Sequence, residues 1–140
     1  MSERFFLDTN IFVYSLDPTA PAKAQKAEDL LREALDQRKG FTSFQVAQEF
    51  FNVAFRRFSP RMSPAEAERY LHSVLVPLLA VHSSATLYGE ALNLHATGGL
   101  SWYDALIVAA ALQARCDVLC TEDLQHGRKF GSLRIVNPFI

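Results

Sequence analysis

The sequence predicts a single α/β domain spanning residues 1–140, built on a mostly parallel sheet of about five strands with helices on both faces. Two observations carry that reading. Short apolar runs rich in β-formers alternate with longer segments of helical period, the pattern of a parallel sheet with helical crossovers. The chain has 140 residues of which 49% are hydrophobic and 21% charged, enough for one packed core and too little for two. Nothing in it reads as a repeat, a linker or a low-complexity segment.

Arg4 to Leu7 is a short apolar run that ends in a carboxylate, and after a loop Ala22 to Arg38 places Ala24, Ala27, Leu30, Leu31, Ala34 and Leu35 at helical spacing. Strand, loop and helix follow in that order. Gly40 is expected to close the helix, Phe41 to Ser43 suits one small strand, and Phe44 to Phe58 repeats Phe44, Ala47, Phe51, Ala54 and Phe58 as a second helix. Ser63-Pro64-Ala65-Glu66 is a capping box with proline at the first helical position, opening a third helix that Pro77 is expected to end. Leu78 to His82 reads as a strand. Ala85 to Ala96 is helical, the Gly98-Gly99 pair breaks the chain, and Ser101 caps a long apolar helix from Trp102 to Arg115. Asp117 to Thr121 and Arg134 to Val136 supply the last two strands.

Several function classes are excluded by composition. The longest apolar runs, Val74 to Val81 and Ala105 to Leu112, fall well short of the roughly 20 residues of a membrane span. Asp8 and Asn10 interrupt the only candidate for a secretory leader, so a cytosolic location is expected. Cys116 and Cys120 lie where a helix gives way to a strand, and both read as reduced, buried thiols. A net charge of -1 argues against a broadly basic nucleic-acid coat, although it leaves room for a local basic face. His72, His82, His95 and His126 show no ligand spacing.

The chemistry concentrates in the carboxylates. In FFLDTNIF, Asp8 is set between apolar runs that want burial, and a buried carboxylate needs a partner, a metal or a proton. In open α/β sheets, sites gather outside the carboxyl ends of the strands where strand order reverses. Asp8 ends the first strand, and Asp123, in VLCTEDLQHG, lies just past the strand Val118 to Cys120, with Glu122 beside it. Asp104 falls in the first turn after Ser101, and Glu49 lies mid-helix on the stripe Gln45, Glu49, Asn52 and Arg56. Four carboxylates converging from four segments would repel one another unless divalent cations joined them, and hard oxygen donors suit Mg²⁺ or Mn²⁺. Plainer roles compete: a cap for Asp8, a capping box with Ser101 for Asp104, a solvated helix face for Glu49 and a turn for Asp123. Arg56, Arg57, Arg61, Arg128 and Lys129 form a candidate basic rim for phosphate, with ordinary solvated charge as the rival account.

Taken together, FFLDTNIFVYSLD, the Glu49 helix, GGLSWYDALIVAAAL and VLCTEDLQHG closely resemble a PIN-domain ribonuclease, and more narrowly the VapC-type toxins of prokaryotic toxin–antitoxin pairs. The resemblance runs from Phe5 to Asn137. It implies a five-stranded parallel sheet and puts the four acids at Asp8, Glu49, Asp104 and Asp123, with Asn10, Ser101 and Thr121 in support. Register with the family favours Asp123 over Glu122. The implied activity is hydrolysis of RNA phosphodiesters by metal-activated water, with one or two Mg²⁺ or Mn²⁺ ions on Asp8, Asp104 and Asp123, and Glu49 holding the second ion or the water. Arg56, Arg57, Arg128 and Lys129 are candidates for gripping the RNA backbone. A homodimer and a cognate antitoxin, whose tail crosses the acidic groove, are implied partners, and the aromatic helix bearing Phe44, Phe50, Phe51, Phe55 and Phe58 is either core or partly covered by another chain.

Three other readings stand beside this one. A phosphotransfer or receiver domain would want a second Asp two residues after the first, or a lysine ending a late strand, and here Asn10 fills the first place. A PIN-like nuclease acting on DNA and a non-catalytic metal- or RNA-binding module complete the set.

Overall fold

Strand β1 (Phe5–Leu7) is fully buried along its length and is the hub of the sheet. A computed structural model of the chain describes residues 3–140. β1 pairs in parallel with β2 (Gly40–Ser43) on one side and with β4 (Val118–Cys120) on the other. β3 (Leu79–Val81) extends the sheet beyond β2, and β6 (Leu133–Val136) extends it beyond β4, both in parallel. A two-residue strand, β5 (Lys129–Phe130), pairs antiparallel with β6 and completes the order β3-β2-β1-β4-β6-β5. The chain first builds outward from β1 to β3 and then crosses to the other side, so strand order reverses between β1 and β4.

Six strands thus replace the expected five. β5 is too short to read from propensity, and it exists because the turn at Gly131 (φ 61) folds Lys129 and Phe130 back onto the edge of β6.

Helix α1 (Thr9–Ser15) stands where a loop was expected. Its sequence, TNIFVYS, is poor in intrinsic helix formers, but Ile11 and Phe12 are fully buried and α1 packs against α2 (Pro21–Gln37) and α3 (Phe44–Arg56). Tertiary burial overrides propensity there. Gly40 does not close α2. Arg38 takes the left-handed position after the helix, and Gly40 lies within β2, opposite Phe5. A side chain at Gly40 would come within 2.2 Å of the Ala34 Cβ, so α2 lies on β2 at a distance only glycine permits.

The Ser63 capping box is present as expected: Glu66 N–H donates to Ser63 Oγ, and Ser63 N–H donates to the Glu66 carboxylate. Helix α4 (Pro64–Tyr70) then widens into a π-helical stretch (Leu71–Leu75) and continues through Pro77 into the short α5 (Val76–Leu78). The helical stretch ends at Leu78, one residue past the expected stop at Pro77. Proline lacks the N–H that would bond four residues back and its ring crowds that carbonyl, and the wider π turn relieves both demands. α6 (Ala85–Gly98) ends at left-handed Gly99, and α7 (Trp102–Gln113) begins at the cap Ser101. α1 packs on α2 and α3, and α6 packs on α7, the two groups that right-handed crossovers on either side of the strand-order reversal put on opposite faces.

α7 is buried continuously from Ala105 to Ala111, as its apolar circumference requires. Cys116 and Cys120 are free and buried, with burial pushing both thiols up to about 12, which keeps them unreactive. Of the expected aromatic set, Phe50 is wholly in the core, Phe44 and Phe51 on α3 and Phe58 just past its end pack against it, and Phe55 is 42% exposed. Core packing accounts for four of the five. Among the described residues no helix is long and apolar enough to cross a membrane.

Gly40→Ala forces its new methyl into Ala34, and overpacking of this kind typically costs about 1–3 kcal/mol. Urea unfolding should show a lower midpoint with an unchanged slope, and a wild-type midpoint would mean that α2 is free to shift away.

Candidate active site

The crevice at the β1/β4 switch point is lined by residues that leave the two strands. Asp8 directly follows β1 in extended conformation and caps α1, its Oδ1 accepting the Thr9 N–H at 2.7 Å. The residue is 6% exposed. Across the crevice, Thr121 follows β4 with no exposed surface and donates its hydroxyl to Asp8 Oδ2 at 2.7 Å. The same oxygen accepts Asn10 Nδ2 at 3.3 Å and the Asp123 N–H at 3.1 Å. A hydroxyl has one proton and two lone pairs, so Thr121 is fully used.

Asn10 is therefore held with its amide nitrogen inward. Nδ2 also donates to Asp123 Oδ2 at 3.1 Å, while the buried Oδ1 has no partner. Glu49 arrives from α3, where Gln45, one turn earlier, donates to its Oε1 at 2.7 Å and Thr9 donates to its Oε2 at 3.0 Å. Asp104 occupies the first turn of α7, its N–H donating to Ser101 Oγ at 3.3 Å. The capping role proposed for Ser101 is thus present. Glu122 faces elsewhere: its oxygens take Tyr14 and Lys23, whereas Asp123 takes Asn10.

Electrostatics tie the four acids into one group. Burial is the main cause that raises the Asp8 carboxyl to about 7, opposed by the hydrogen bonds from Thr121 and Thr9 and reinforced by the charges of Asp123 and Glu49. Asp123 is also raised, by desolvation first and then, against the Asn10 hydrogen bond, by repulsion from Glu122 and Asp104. Each of the four acids thus enters the field of another. Among the described residues, no three His, Cys, Asp or Glu side chains stand close enough as placed to hold one ion between them. Mg²⁺ does not require such a cage. It binds through one or two carboxylates and keeps several waters. A carboxylate held half-protonated near neutrality by burial and like charge, beside an unpartnered amide oxygen, fits a hydrated divalent cation by donor chemistry.

The basic residues divide. Arg56 and Arg57 are exposed at the end of α3, and Arg56 lies two helical turns beyond Glu49 on the same polar stripe. Lys129 is exposed on β5. Arg128 is already engaged, donating to the Gly98 carbonyl at the end of α6 and lying 4.5 Å from the Phe130 ring centroid. Reading the sequence alone missed Thr9 and Gln45, which hold Glu49. A weak signal was present, because polar residues beside each acid at positions otherwise apolar ask for a partner.

A PIN domain family model matches residues 5–129. No curated protein gives a significant match. Three solved structures are similar in fold at low identity. A toxin–antitoxin complex from Klebsiella pneumoniae is 17% identical over 95% of this chain and 96% of its own, with a TM-score of 0.65. FitAcB from Neisseria gonorrhoeae is 18% identical over 96% and 98%, with a TM-score of 0.62. VapC20 of Mycobacterium tuberculosis, described as a toxin that cleaves the sarcin–ricin loop, is 22% identical over 82% and 86%, with a TM-score of 0.57.

The raised Asp8 carboxyl has a consequence for stability. The folded chain retains a proton that the unfolded chain, with an ordinary Asp near 3.8, has already released, so in chelator stability falls as pH rises from about 4 through about 7. Asp8→Asn should flatten that slope, narrowing the loss between pH 5 and pH 8 by on the order of 2 kcal/mol in urea unfolding with EDTA. Parallel pH profiles for the two proteins would show that Asp8 ionises normally.

Proposed function

The chain belongs to the PIN-domain family, and on that premise we propose that it is a metal-dependent endoribonuclease, the toxin of a type II toxin–antitoxin pair. The observation that carries the proposal is the buried Asp8 carboxylate at the strand-order reversal, in the electrostatic field of Asp123 and Glu49 and beside the unpartnered Asn10 Oδ1. A structural acid would be neutralised by a cation or saturated by donors. Among the described residues, Asp8 is given only two donors, with acid neighbours.

In this reading Asp8, Asp104 and Asp123 hold one or two Mg²⁺ or Mn²⁺ ions, and Glu49 holds the second or places the attacking water. A bound ion supplies Lewis acidity at the phosphate and a water of lowered pKa. The protein's part is orientation. Thr9 and Thr121 fix the two Asp8 oxygens, Asn10 aims Asp123, and Gln45 with Thr9 aims Glu49. Asn10 Oδ1 is buried and keeps an unused hydrogen-bond acceptor beside the acids. No Ser-His or Cys-His pair takes part, and the buried cysteines are held as thiols. Arg56, Arg57 and Lys129 present free charge for the RNA backbone, while Arg128 reaches it only by releasing the Gly98 carbonyl.

A cognate antitoxin and a second copy of the chain are the proposed protein partners, and the cytosol the proposed location. The neighbouring structures support an antitoxin, since the one from Klebsiella pneumoniae is a toxin–antitoxin complex.

The decisive experiment is cleavage of a total cellular RNA pool with ends mapped by sequencing, in Mg²⁺ or Mn²⁺, in EDTA, and with Asp8→Asn. Discrete new ends should vanish with chelator and fall by on the order of a hundredfold or more with the substitution, and Thr121→Val should cost about 10–100-fold. Cleavage of single-stranded DNA instead would reassign the substrate. Mn²⁺ binding without cleavage of either would make the chain a binding module.

A further inference from the structure

Glu122 and Asp123 are adjacent carboxylates at the mouth of one acidic crevice, yet their surroundings differ. Asp123 takes Asn10, from inside the site. Glu122 is taken by a closed triangle outside it: Tyr14 Oη donates to Oε1 at 2.6 Å, Lys23 Nζ reaches Oε2 at 3.1 Å, and Lys23 Nζ lies 3.2 Å from Tyr14 Oη. The triangle is itself braced. Phe139 packs edge-on against the Tyr14 ring at 5.0 Å, and Lys23 Nζ sits 4.6 Å from the Tyr14 ring centroid and 5.6 Å from that of Phe139.

An isolated ion pair at this level of exposure would do little to restrain a flexible glutamate. Here a charge, a phenol and two rings act on one carboxylate, and once Phe139 has ordered Tyr14 and Lys23, little further entropy is lost in holding Glu122. The elements involved also matter, because Tyr14 lies on α1, the helix that Asp8 caps and that carries Asn10. The helix that holds Asp123 in is the helix that holds Glu122 out.

We infer that Tyr14 and Lys23 are positioning residues that keep the Glu122 carboxylate away from the acidic crevice, so that Asp123 alone of the adjacent pair serves it. The inference rests on the metal-nuclease reading for its purpose and on the triangle for its existence. An unrestrained Glu122 would add a carboxylate to the group. That charge would tighten the hold on a cation and repel the phosphate of an incoming RNA.

The test compares wild type with Lys23→Ala, Lys23→Arg, Tyr14→Phe, the double variant Lys23→Ala/Glu122→Gln, and Lys26→Ala as a control that removes the same charge from the same helix. Calorimetric titration with Mn²⁺ should show binding about tenfold tighter in Lys23→Ala. It should return to wild type in the double variant, and stay at wild type in Lys23→Arg and Lys26→Ala. Tyr14→Phe, which alters no charge, should move the same way by about threefold. In metal-free protein, amide hydrogen exchange at Glu122 and Asp123 should quicken about tenfold in Lys23→Ala and not in Lys26→Ala. Equal Mn²⁺ shifts in Lys23→Ala and Lys26→Ala, or unaltered exchange in Lys23→Ala, would overturn the inference. Wild-type protein that neither binds Mn²⁺ nor cuts nucleic acid would remove the nuclease reading, and the metal-free exchange would still decide the clamp.

Discussion

The Thr121 hydroxyl locks in place three groups that the pairing of β1 with β4 brings to one point. It donates to Asp8 after β1, accepts Asn10 from α1, and accepts the backbone of Asp123 in the turn after β4. Each bond is modest alone. Because Thr121 is fully buried, losing any partner would leave an unsatisfied polar group, at a cost of about 1–3 kcal/mol. The saturation of that oxygen also fixes the orientation of the Asn10 amide, since with no proton left to give, Thr121 can only accept. The free Asn10 Oδ1 follows from that constraint.

The acids are positioned by unlike means. Asp8 is buried and costs stability by desolvation and by the charges of Asp123 and Glu49, with two hydrogen bonds as partial compensation. Glu49 is held from both sides by Gln45 and Thr9. Thr9 serves twice, because its N–H caps onto Asp8 while its hydroxyl reaches Glu49, so the first residue of α1 spaces two acids from different elements. Such an arrangement is destabilising for the fold taken alone. On the proposed reading its net benefit comes from what the crevice binds, as in other functional clusters of titratable groups.

Much of this was legible before any coordinates. An acid after an apolar strand, a Ser-Pro-Ala-Glu box and a Ser three residues before Asp104 are local signals, and local chemistry decides them. The elements that escaped are those settled by distant parts of the chain. TNIFVYS has no helical signal strong enough to outweigh its β-branched and aromatic residues, and becomes α1 because Ile11 and Phe12 find the core. Gly40 looks like a helix stop, but its lack of a side chain answers the approach of Ala34. Pro77 does mark the helix end to within one residue, but the π-helical stretch just before it has no signal in the sequence. The same distinction holds in the site: the acids could be read, while Thr9, Gln45, Tyr14 and Lys23 acquire meaning only when α1, α2, α3 and the turn after β4 are brought together.

Asp104 differs from its three companions. Among the described residues its carboxylate accepts no hydrogen bond, and Ser101 engages only its backbone. Its location comes instead from α7, whose residues Ala105 to Ala111 are buried without interruption, so the helix cannot slide or roll without opening the core. The backbone at residue 104 is therefore rigidly placed while the side chain keeps its rotamers. On the proposed metal-nuclease reading, with Asp8, Glu49 and Asp123 restrained by donors, Asp104 on its fixed anchor is the acid able to adapt its distance to a bound cation. Rigid packing beneath and freedom at the tip are complementary requirements, and an all-apolar helix ending in a capped first turn meets both.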